Sequence, residues 1–594
     1  MKKILLATSI ALTATLAHSA LGPIPIYLNT EYRTDSPVIG SIASTLSFNQ
    51  ADIKASGAST FLDFLETVPS VGLVNAYGNV PAIYIRGGKA DHTLILVDGV
   101  SVIGADSLNG EIGHGLRAIA LGDIEKIDII KGAGSVLYGS SAIAGIIAIT
   151  TKKGANGEQA AISTKFGTHN AKTYALSASN GDDKGGFVRF THNQYTTDGI
   201  NARTQDLTRE KDGIGNHTTQ IKFGNPQFNA SYVENHNKTE YDQCWVGFVA
   251  INDCLEDRKS KKIAINANQQ MNAVWKVKLS LAQNKSNSIT KASNTSTLSG
   301  NFKSTNIRIL NDIKIDNALL NVGLLQSNDE NTTKNKKMSS KDVFVNWQKN
   351  INSIDINTGA RYIKHSKFGG ESIYNLGVAK YFNNGIKLTS SYATAFQAPT
   401  LKNLFGYNFN GASAGGNLEL KPETSKNIEL GLEKQHSWGL SSIRIYQNKV
   451  KNAINWSSGF KNIDKIKSKG VEFSVDANVA NYDISFSHNY NKSRTNDGNT
   501  QNLRRPKNIT NLTLSKIIGK FHSRVQIINK SSSLDVGNVR LEGYTLLNLS
   551  TNYAINDNAK VVFNIKNATD KDYIVANGFK QFGRTIEAGL DYKF

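Results

Sequence analysis

The chain has 594 residues, of which 39% are hydrophobic and 20% are charged. This length is enough for several ordinary domains, or for one very large sheet system with a smaller domain inside or beside it. The formal net charge of +20 does not indicate a nucleic-acid-binding protein, because the basic residues are scattered and form no basic helix or RNA-binding signature.

The N-terminus has the composition of an export signal. Two lysines follow the initiator methionine, an apolar run extends over Ile4–Leu16, and the small residues of "AHSA" come next. This order predicts a secretory signal peptide over residues 1–20, cleaved after Ser19 or Ala20, with a buried N-terminal helix as the alternative. Downstream, the sequence contains no run of about 18 apolar residues, so it predicts no helical membrane span. A soluble periplasmic, a secreted and an outer-membrane barrel protein are the remaining classes.

A β-prone segment follows the predicted cleavage site. In "PIPIYLNTEYR" two prolines favour an extended backbone, and an isoleucine, a tyrosine and a leucine follow in a row. Such a segment is suited to adding a strand to the sheet edge of a partner protein. We assign residues 21–34 to this segment and its linker, with a flexible N-terminus as the alternative.

Residues 35–155 have the pattern of a small α+β domain. Short apolar stretches such as "AIYIRGG", "HTLILVDGV", "IEKIDIIKG" and "GIIAITTKK" are separated by glycine-rich turns. The stretch "TFLDFLETVPS" has the pattern of a helix. The composition changes near residue 155, which we take as the end of this domain.

Amphipathic strands follow one another over residues 156–594. The stretches "VEFSVDANV" and "NYDISFSHNY" alternate apolar and polar residues, and turn residues such as "NDN", "NNG" and "NGD" separate such strands. About 440 residues, at roughly 20 for each membrane strand and its connection, predict about 22 strands. A closed barrel in lipid leaves no exposed sheet edge, whereas a soluble sandwich of this size needs edge protection.

The last predicted strand, "IEAGLDYKF", is the one that closes such a barrel. Ile586, Leu590 and Phe594 share one face, and Glu587 and Asp591 share the other. We expect the apolar face to contact lipid, the polar face to line the lumen, and the strand to pair with the first strand of the barrel. A barrel of this size is wide enough to leak solutes, so we expect the N-terminal domain to fill it.

The two cysteines of the chain, Cys244 and Cys254, lie in the stretch "CWVGFVAINDC". Export to an oxidising compartment favours a disulfide between them over two free thiols. Such a bond would close the short loop between the two residues.

Several long stretches carry a resemblance to a known family. The stretch "AIYIRGGKADHTLILVDGVSV" is followed by "IEKIDIIKGAGSVLYGSSAIAGIIAITTKKG". Their order and spacing resemble the plug signature of TonB-dependent outer-membrane receptors. The stretches "YATAFQAPTLKNLFGY" and "NLELKPETSKNIELG" resemble cobalamin and haem receptors of this family. The end of the chain, "VVFNIKNATDKDYIVANGFKQFGRTIEAGLDYKF", resembles the end of cobalamin (vitamin B12) receptors.

The resemblance implies a transmembrane β-barrel of about 22 antiparallel strands in the bacterial outer membrane, with an N-terminal α+β plug domain inside its lumen. It also implies active uptake of cobalamin or a related corrinoid, coupled to TonB of the inner-membrane energy-coupling complex. The expected form is a monomer that contacts outer-membrane lipid and lipopolysaccharide. The alternatives are a haem or ferric-siderophore receptor of the same class and, from another class, a passive plugged porin or adhesin.

The resemblance further implies three sets of site residues. The TonB-coupling segment falls on Pro25, Ile26, Tyr27, Leu28, Asn29 and Thr30. The substrate-binding loops of the plug carry Asn75, Tyr77, Asn79, Ser107, Leu108 and Asn109. Cobalamin receptors order two outer loops with calcium, which takes oxygen ligands, and the matching carboxylates here are Asp206, Glu210, Asp212, Asp242 and Asp257. The alternatives are ordinary turn formers in the plug and solvated carboxylates in the outer loops.

Haem binding and enzymatic activity are both disfavoured by the sequence. Haem receptors of the family use one histidine in the plug and another in the loop after the "FQAP" strand. His92 and His114 lie in the plug, but no histidine lies between Phe396 and Glu423, so we interpret His92 as a turn or packing residue. No H-E-x-x-H pair, Walker loop or G-x-S-x-G elbow indicates an enzyme, and no catalytic cofactor is expected.

Overall fold

The computed structural model describes residues 28–30, 34–36, 42–102, 113–208, 210–246, 249–293, 295–409, 412–456, 458–495 and 500–594. Near its N-terminal end, strands β1 (Leu28–Thr30) and β2 (Thr34–Ser36) pair in an antiparallel hairpin. The predicted signal peptide lies outside the described residues.

A small α+β domain follows. Its strands are β3 (Thr45–Asn49), β4 (Val71–Ala76), β5 (Val80–Ile85), β6 (Thr93–Val97), β7 (Val100–Ser101), β8 (Ile124–Lys131) and β9 (Gly145–Thr151), and its helices are α1 (Gln50–Ala55), α2 (Phe61–Thr67) and α3 (Ser135–Tyr138). Short 3₁₀ turns lie at Ala90–His92, Gly113–Ala118 and Leu121–Asp123. Five strands form one sheet in the order β3-β8-β9-β6-β7, while β4 and β5 form a separate hairpin.

The core of this domain lies between helix α2 and the sheet. Thr60 caps the start of α2 by accepting a hydrogen bond from the backbone of Asp63, whose carboxylate accepts one from Thr60 in return. The helix then buries Phe61 and Leu65 against sheet residues such as Ile147. Burial of these side chains drives the docking of the helix.

The remainder of the chain forms a closed barrel with small hairpins in its loops. Its strands are β10 (Gln159–Gly167), β11 (Ala171–Gly181), β12 (Phe187–Thr197), β13 (Ile214–Gly224), β14 (Phe228–Tyr241), β15 (Cys244–Val246), β16 (Val249–Ile251), β17 (Cys254–Gln270), β18 (Trp275–Ala292), β19 (Thr295–Ile315), β20 (Ala318–Asn331), β21 (Lys336–Ile351), β22 (Ile354–His365), β23 (Gly369–Tyr381), β24 (Ile386–Gln397), β25 (Tyr407–Phe409), β26 (Ala412–Ala414), β27 (Glu423–His436), β28 (Gly439–Trp456), β29 (Phe460–Val479), β30 (Tyr482–Thr495), β31 (Thr500–Gln501), β32 (Asn508–Ile518), β33 (Phe521–Lys530), β34 (Ser533–Leu534), β35 (Arg540–Leu541), β36 (Tyr544–Ala554), β37 (Ala559–Lys566), β38 (Ile574–Ala576), β39 (Phe579–Lys580) and β40 (Thr585–Lys593). One helical turn, α4 (Leu401–Phe405), lies in the loop after β24, and a 3₁₀ turn lies at Val536–Asn538.

Within the described residues, 22 long antiparallel strands make the wall of the barrel, and the short strands β15, β16, β25, β26, β31, β34, β35, β38 and β39 belong to its loops. Strand β40 pairs with β10 and closes the wall, as the terminal sequence predicts. Glu587 is buried on the lumen side, whereas Ile586 and Leu590 are exposed on the outer face. The predicted fold is therefore confirmed.

The two ends of the barrel have connections of very different length. On the side of the C-terminus the strands are joined by tight turns, for example 316–317 and 480–481. On the opposite side the connections include 198–213, 398–422 and 567–584. Short turns mark the periplasmic end of outer-membrane barrels and long loops mark the outer end. Among the described residues, none of the helices is both long and apolar enough to cross a membrane.

The plug sits inside the lumen with close contacts to the wall. At the "RGG" turn, Gly87 has φ of +70°, and a Cβ on it would lie 2.8 Å from the Cβ of Ser493 on strand β30. A larger residue would therefore clash with the barrel and strain the turn. Ser493 Oγ donates a hydrogen bond of 2.8 Å to the carbonyl of Gly87, which holds the turn against the wall.

Candidate functional site

The tip of the β4–β5 hairpin of the plug touches two outer loops of the barrel. The backbone N–H of Asp242 donates a hydrogen bond of 2.9 Å to the carbonyl of Tyr77. The side-chain amide of Asn79 donates to the carbonyls of Asp212, at 2.8 Å, and Glu240, at 3.1 Å. Two of the predicted substrate residues thus lie directly against the loops that carry the predicted calcium ligands.

The same hairpin tip offers polar and aromatic groups near the outer opening. The ring of Tyr77 packs edge-on against Phe579 of the last outer loop, with 5.6 Å between ring centroids, and Tyr77 remains 39% exposed. Asn75 and Asn79 line a cavity of about 150 Å³ between plug and barrel. The side-chain oxygen of Asn75 is buried and accepts no hydrogen bond from the described residues. This tip can therefore contact a large polar ligand with amide, hydroxyl and aromatic groups.

Three of the five predicted calcium ligands come together beneath the hairpin tip. We call Glu210, Asp212 and Asp242 the acidic trio; one carboxylate oxygen from each lies within 4.8 Å of the others. Asp212 and Asp242 are 2% and 1% exposed. Both oxygens of Asp242 and Oδ1 of Asp212 meet no hydrogen-bond donor in the described part of the chain, while Oδ2 of Asp212 accepts the N–H of Ala202 at 3.0 Å.

Burial and mutual repulsion make these carboxylates weak acids. Burial, with the charges of Asp242 and Glu240 adding to it, raises the pKa of Glu210 to about 7. Burial raises the pKa of Asp212 to about 8, with the charges of Asp242 and Glu210 adding to it. Burial and the charge of Asp206 raise the pKa of Asp242 to about 6. Buried carboxylate oxygens at this spacing, with no donor among the described residues, fit a hard divalent cation such as calcium, which would remove the repulsion.

The other two predicted calcium ligands lie outside the trio. Asp206 is half-buried, and its carboxylate accepts hydrogen bonds from Asn201 Nδ2 and Thr208 Oγ1, both at 2.8 Å. Asp257 lies on strand β17, where its carboxylate pairs with Nε2 of His236 at 2.8 Å. The strand register directs Asp257 to the neighbouring strand instead of to the loop, so the structure separates it from the trio.

A disulfide fixes the loop that supplies Asp242. Cys244 and Cys254 are bonded, as predicted, and both are buried. Strands β15 and β16 form a hairpin between them. The bond holds the loop two residues after Asp242, and so limits the positions that this carboxylate can take.

A buried ionic cluster, which the sequence reasoning missed, joins the plug to the barrel deeper in the lumen. Arg86 donates to both carboxylate oxygens of Glu472, at 3.2 and 2.7 Å, and to Glu429. Lys131 reaches Glu472 at 3.3 Å, and the Arg86 guanidinium lies 4.2 Å from the ring centre of Tyr446. Every charged side chain here is less than a tenth exposed. The only sequence signal was the place of Glu472 on the polar face of the predicted strand "VEFSVDANV".

His92 is also part of the plug–barrel contact. The ring is fully buried, its Nε2 lies 2.6 Å from the carboxylate of Glu423, and its Nδ1 accepts the N–H of Lys89 at 3.3 Å. The ammonium of Lys89 lies 2.8 Å from Asp91 and 3.4 Å from Glu423, and so supplies a cation among these carboxylates. Both ring nitrogens are engaged, which agrees with a packing role for His92.

The remaining predicted site residues are only partly visible. Ser107, Leu108 and Asn109 lie outside the described residues, as do Pro25, Ile26 and Tyr27 of the coupling segment. The backbone of Leu28–Thr30 forms strand β1 and pairs with β2. An extended backbone is the conformation that pairing with a partner's sheet requires.

Comparison with known families decides the class of protein. Residues 149–568 match the family described as TonB dependent receptor-like, beta-barrel, and residues 37–146 match the TonB-dependent Receptor Plug Domain. The chain belongs to the TonB-dependent receptor family. It is therefore a receptor of the outer membrane, in a class of receptors and transporters that is not enzymatic.

The individual relatives share less than a quarter of their residues with this chain. The chain is 23% identical to the vitamin B12 transporter BtuB of Photobacterium profundum, with 100% of each chain covered, and 24% identical to BtuB of Vibrio vulnificus, with 95% of this chain and 94% of the relative covered. Among solved structures, it is similar to the siderophore receptor PirA of Acinetobacter baumannii, with a TM-score of 0.78, 17% identity, and 94% and 99% coverage. The ferric enterobactin receptor PfeA of Pseudomonas aeruginosa gives a TM-score of 0.79 at 15% identity, with 93% and 98% coverage. At these identities the solved structures establish the fold alone.

Proposed function

We propose that this receptor takes up cobalamin, or a related corrinoid, by TonB-dependent active transport across the outer membrane. The observation that carries the proposal is the full-length similarity to relatives named vitamin B12 transporters, which covers 100% of both chains in one case. The plug, the barrel and the outer loops of this chain are all included in that match. A match confined to the barrel would support the class of receptor only.

The proposed ligand seat is the hairpin tip of the plug. A corrinoid is large and carries many amide groups, so it suits a site built from many modest polar contacts and an aromatic face. Asn75 supplies a buried oxygen that accepts no hydrogen bond from the described residues, and Tyr77, which is 39% exposed and packs on the buried Phe579, supplies an aromatic face. Ser107, Leu108 and Asn109 remain proposed contacts from the second plug loop.

We propose that calcium binds the acidic trio and orders the two outer loops. Calcium takes six to eight oxygen ligands, of which Glu210, Asp212 and Asp242 would supply the carboxylates and nearby carbonyls and water the rest. The cation neutralises the repulsion that raises the pKa of these groups. Because the backbone next to Asp212 and Asp242 holds Asn79 and Tyr77, ordering of these loops also positions the ligand seat.

Energy is proposed to arrive through the N-terminal segment. Ligand binding outside would expose residues 25–30 to TonB, which adds a strand to this segment and pulls on the plug. Deleting residues 23–30 should abolish uptake and preserve binding. A passive porin or adhesin would keep its flux or adhesion after this deletion.

A ferric-siderophore receptor is the second candidate, because the similar solved structures named above are siderophore receptors. Haem is less well supported, since both ring nitrogens of His92 are engaged within the plug–barrel contact. The siderophore candidate makes no use of the acidic trio, which is the structural feature that separates it from the cobalamin proposal.

The deciding experiment is a titration of detergent-solubilised receptor with cyanocobalamin, haemin and a ferric catecholate siderophore, each in calcium and in chelator. We expect sub-micromolar binding of cyanocobalamin alone, weakened by chelator. The Asp212→Asn variant should need more calcium for the same effect, whereas the matched control Asp257→Asn, outside the trio, should respond to calcium as the parent does. Binding of the siderophore but not of cyanocobalamin would overturn the substrate proposal and leave the receptor class unchanged.

A further inference from the structure

Two cavities lie one below the other along a single side of the plug. The upper cavity, of about 150 Å³, lies beneath Asn75 and Asn79 of the hairpin tip. The lower cavity, of about 580 Å³, is lined by plug helices α1 and α2, by barrel strands β10 to β13, β36, β37 and β40, and by the periplasmic turn at 519–520. The two cavities share lining residues, including Ala58, Thr60 and Tyr195. They therefore adjoin between the outer and the periplasmic ends of the lumen.

The start of helix α2 forms the boundary between the cavities. Ser59 lines the lower cavity and donates a hydrogen bond of 2.8 Å to Glu587, which lines the upper one. Asp63, in the first turn of α2, pairs with Lys566 of strand β37 at 2.8 Å. Lys165 of strand β10 donates to Ser59 Oγ at 3.3 Å. We call Ser59, Asp63, Lys165, Lys566 and Glu587 the gate.

The Asp63–Lys566 pair of the gate differs in hydration from the ionic cluster around Arg86, whereas Glu587 of the gate is buried. The side chains of Asp63 and Lys566 are each 31% exposed, whereas those of Arg86, Glu429 and Glu472 are 3%, 4% and 8% exposed. Ion pairs in contact with water exchange partners readily, but a buried pair leaves uncompensated charge when it is broken. Force on the plug should therefore separate Asp63 from Lys566 before it separates Arg86 from Glu472.

Positive charge is in excess in the lower cavity. Its basic lining residues include Lys54, Lys152, Lys165, Arg189, Lys560 and Lys593. Its acidic ones include Asp123, which pairs with Arg189 at 3.1 Å, and Asp591, which lies 4.0 Å from Lys54. A lining of this kind attracts an anionic group such as a phosphodiester.

We propose that the lower cavity is a transit site for the anionic part of the ligand, entered from the upper cavity when α1, α2, the Leu121–Asp123 turn that packs on α2, and the gate move away from strands β10, β11, β37 and β40. The rest of the plug stays fixed to the opposite wall through the cluster around Arg86. The proposal rests on the proposed transport function but not on the identity of the ligand.

A disulfide across the lower cavity tests the movement. A Cβ on Gly122 of the plug would lie 3.8 Å from the Cβ of Ala175 on strand β11, which is the usual spacing in a disulfide. In the Gly122→Cys/Ala175→Cys receptor, the oxidised form should bind cyanocobalamin as the reduced form does, but its uptake should be at least about tenfold slower. The parent receptor, treated with the same reductant, controls for reduction of Cys244–Cys254. Equal uptake by the oxidised and reduced forms would overturn the proposal.

A labelling experiment tests which side of the plug opens. Ala175 and Ser391 both face the lumen, on strands β11 and β24, and Ser391 lines a separate cavity on another part of the wall. In energised cells with ligand, an impermeant maleimide added outside should label the Ala175→Cys receptor at least about tenfold faster than the Ser391→Cys receptor. Equal labelling would show that the whole plug leaves and would overturn the proposal. If the parent itself takes up no cobalamin, the substrate proposal fails instead, and both tests are run with the ligand that the titration identifies.

Discussion

The pH dependence of calcium binding follows from the pKa values of the acidic trio. Calcium must displace the protons held by Glu210, Asp212 and Asp242, whose pKa values are about 7, 8 and 6. Between pH 6 and pH 8, proton competition with calcium weakens by about 10-fold at Glu210, about 50-fold at Asp212 and about 2-fold at Asp242. The apparent calcium affinity should therefore rise about 1,000-fold over this range.

The Asp212→Asn substitution removes the largest of these three factors. The variant should bind calcium more weakly at every pH, and its affinity should rise about 20-fold or less between pH 6 and pH 8. Isothermal titration calorimetry at pH 6, 7 and 8 measures how the calcium affinity of the parent and of the variant changes with pH. Repeating the titration in two buffers of different ionisation enthalpy gives the number of protons released. Asp257→Asn is the matched control and should keep the slope of the parent. A parent affinity that does not change with pH would refute the reasoning.

The same groups make stability depend on pH when calcium is removed. Their pKa values are higher in the folded protein than in an unfolded chain, so the folded state holds more protons between about pH 4 and pH 8. Stability in chelator should therefore fall as the pH rises through this window, and saturating calcium should remove the fall. Thermal unfolding followed at pH 5, 7 and 9, with and without calcium, checks the sign.

Three further predictions concern the plug, the disulfide and energy coupling. Glu472→Gln should lower the free energy of unfolding by about 3–5 kcal/mol, because Arg86 keeps its buried charge but loses a partner; thermal unfolding measures this. Cys244→Ser should cost the outer loop about 3 kcal/mol of ordering free energy, seen as faster proteolysis and weaker ligand binding. Deleting residues 23–30 should abolish uptake of labelled cobalamin in cells and leave the binding affinity unchanged.

Each of these predictions has a clear contrary result. For Glu472→Gln the control is Glu542→Gln, at an ion pair with Arg540 that is largely exposed and so contributes less than about 1 kcal/mol. Equal effects of the two variants would contradict the role assigned to the buried cluster. Unchanged proteolysis of the Cys244→Ser loop would show that other contacts order it. Uptake after the N-terminal deletion would indicate passive transport.

The amino-acid sequence by itself predicted much of the fold because its signals are local. Alternation of apolar and polar residues marks a strand with one lipid face and one lumen face, and this pattern holds at Ile586 and Glu587 in the final strand. The expected export of the chain to an oxidising compartment likewise predicted the bond between Cys244 and Cys254. The resemblance to known receptors also identified each acidic residue of the trio as a candidate calcium ligand.

Only the tertiary structure decided which distant residues meet. Arg86 contacts Glu429 and Glu472, which are more than 340 positions away in the chain, and Tyr77 contacts Asp242 across the plug–barrel boundary. Asp257 carries a carboxylate like the members of the trio, yet the register of strand β17 turns it towards His236. Closure of the barrel and the seating of the plug fix these pairings, because strand register and rotation of the plug depend on the whole wall at once. Local alternation contains no information about either quantity, and so the sequence determined the strands while the assembled barrel determined the site.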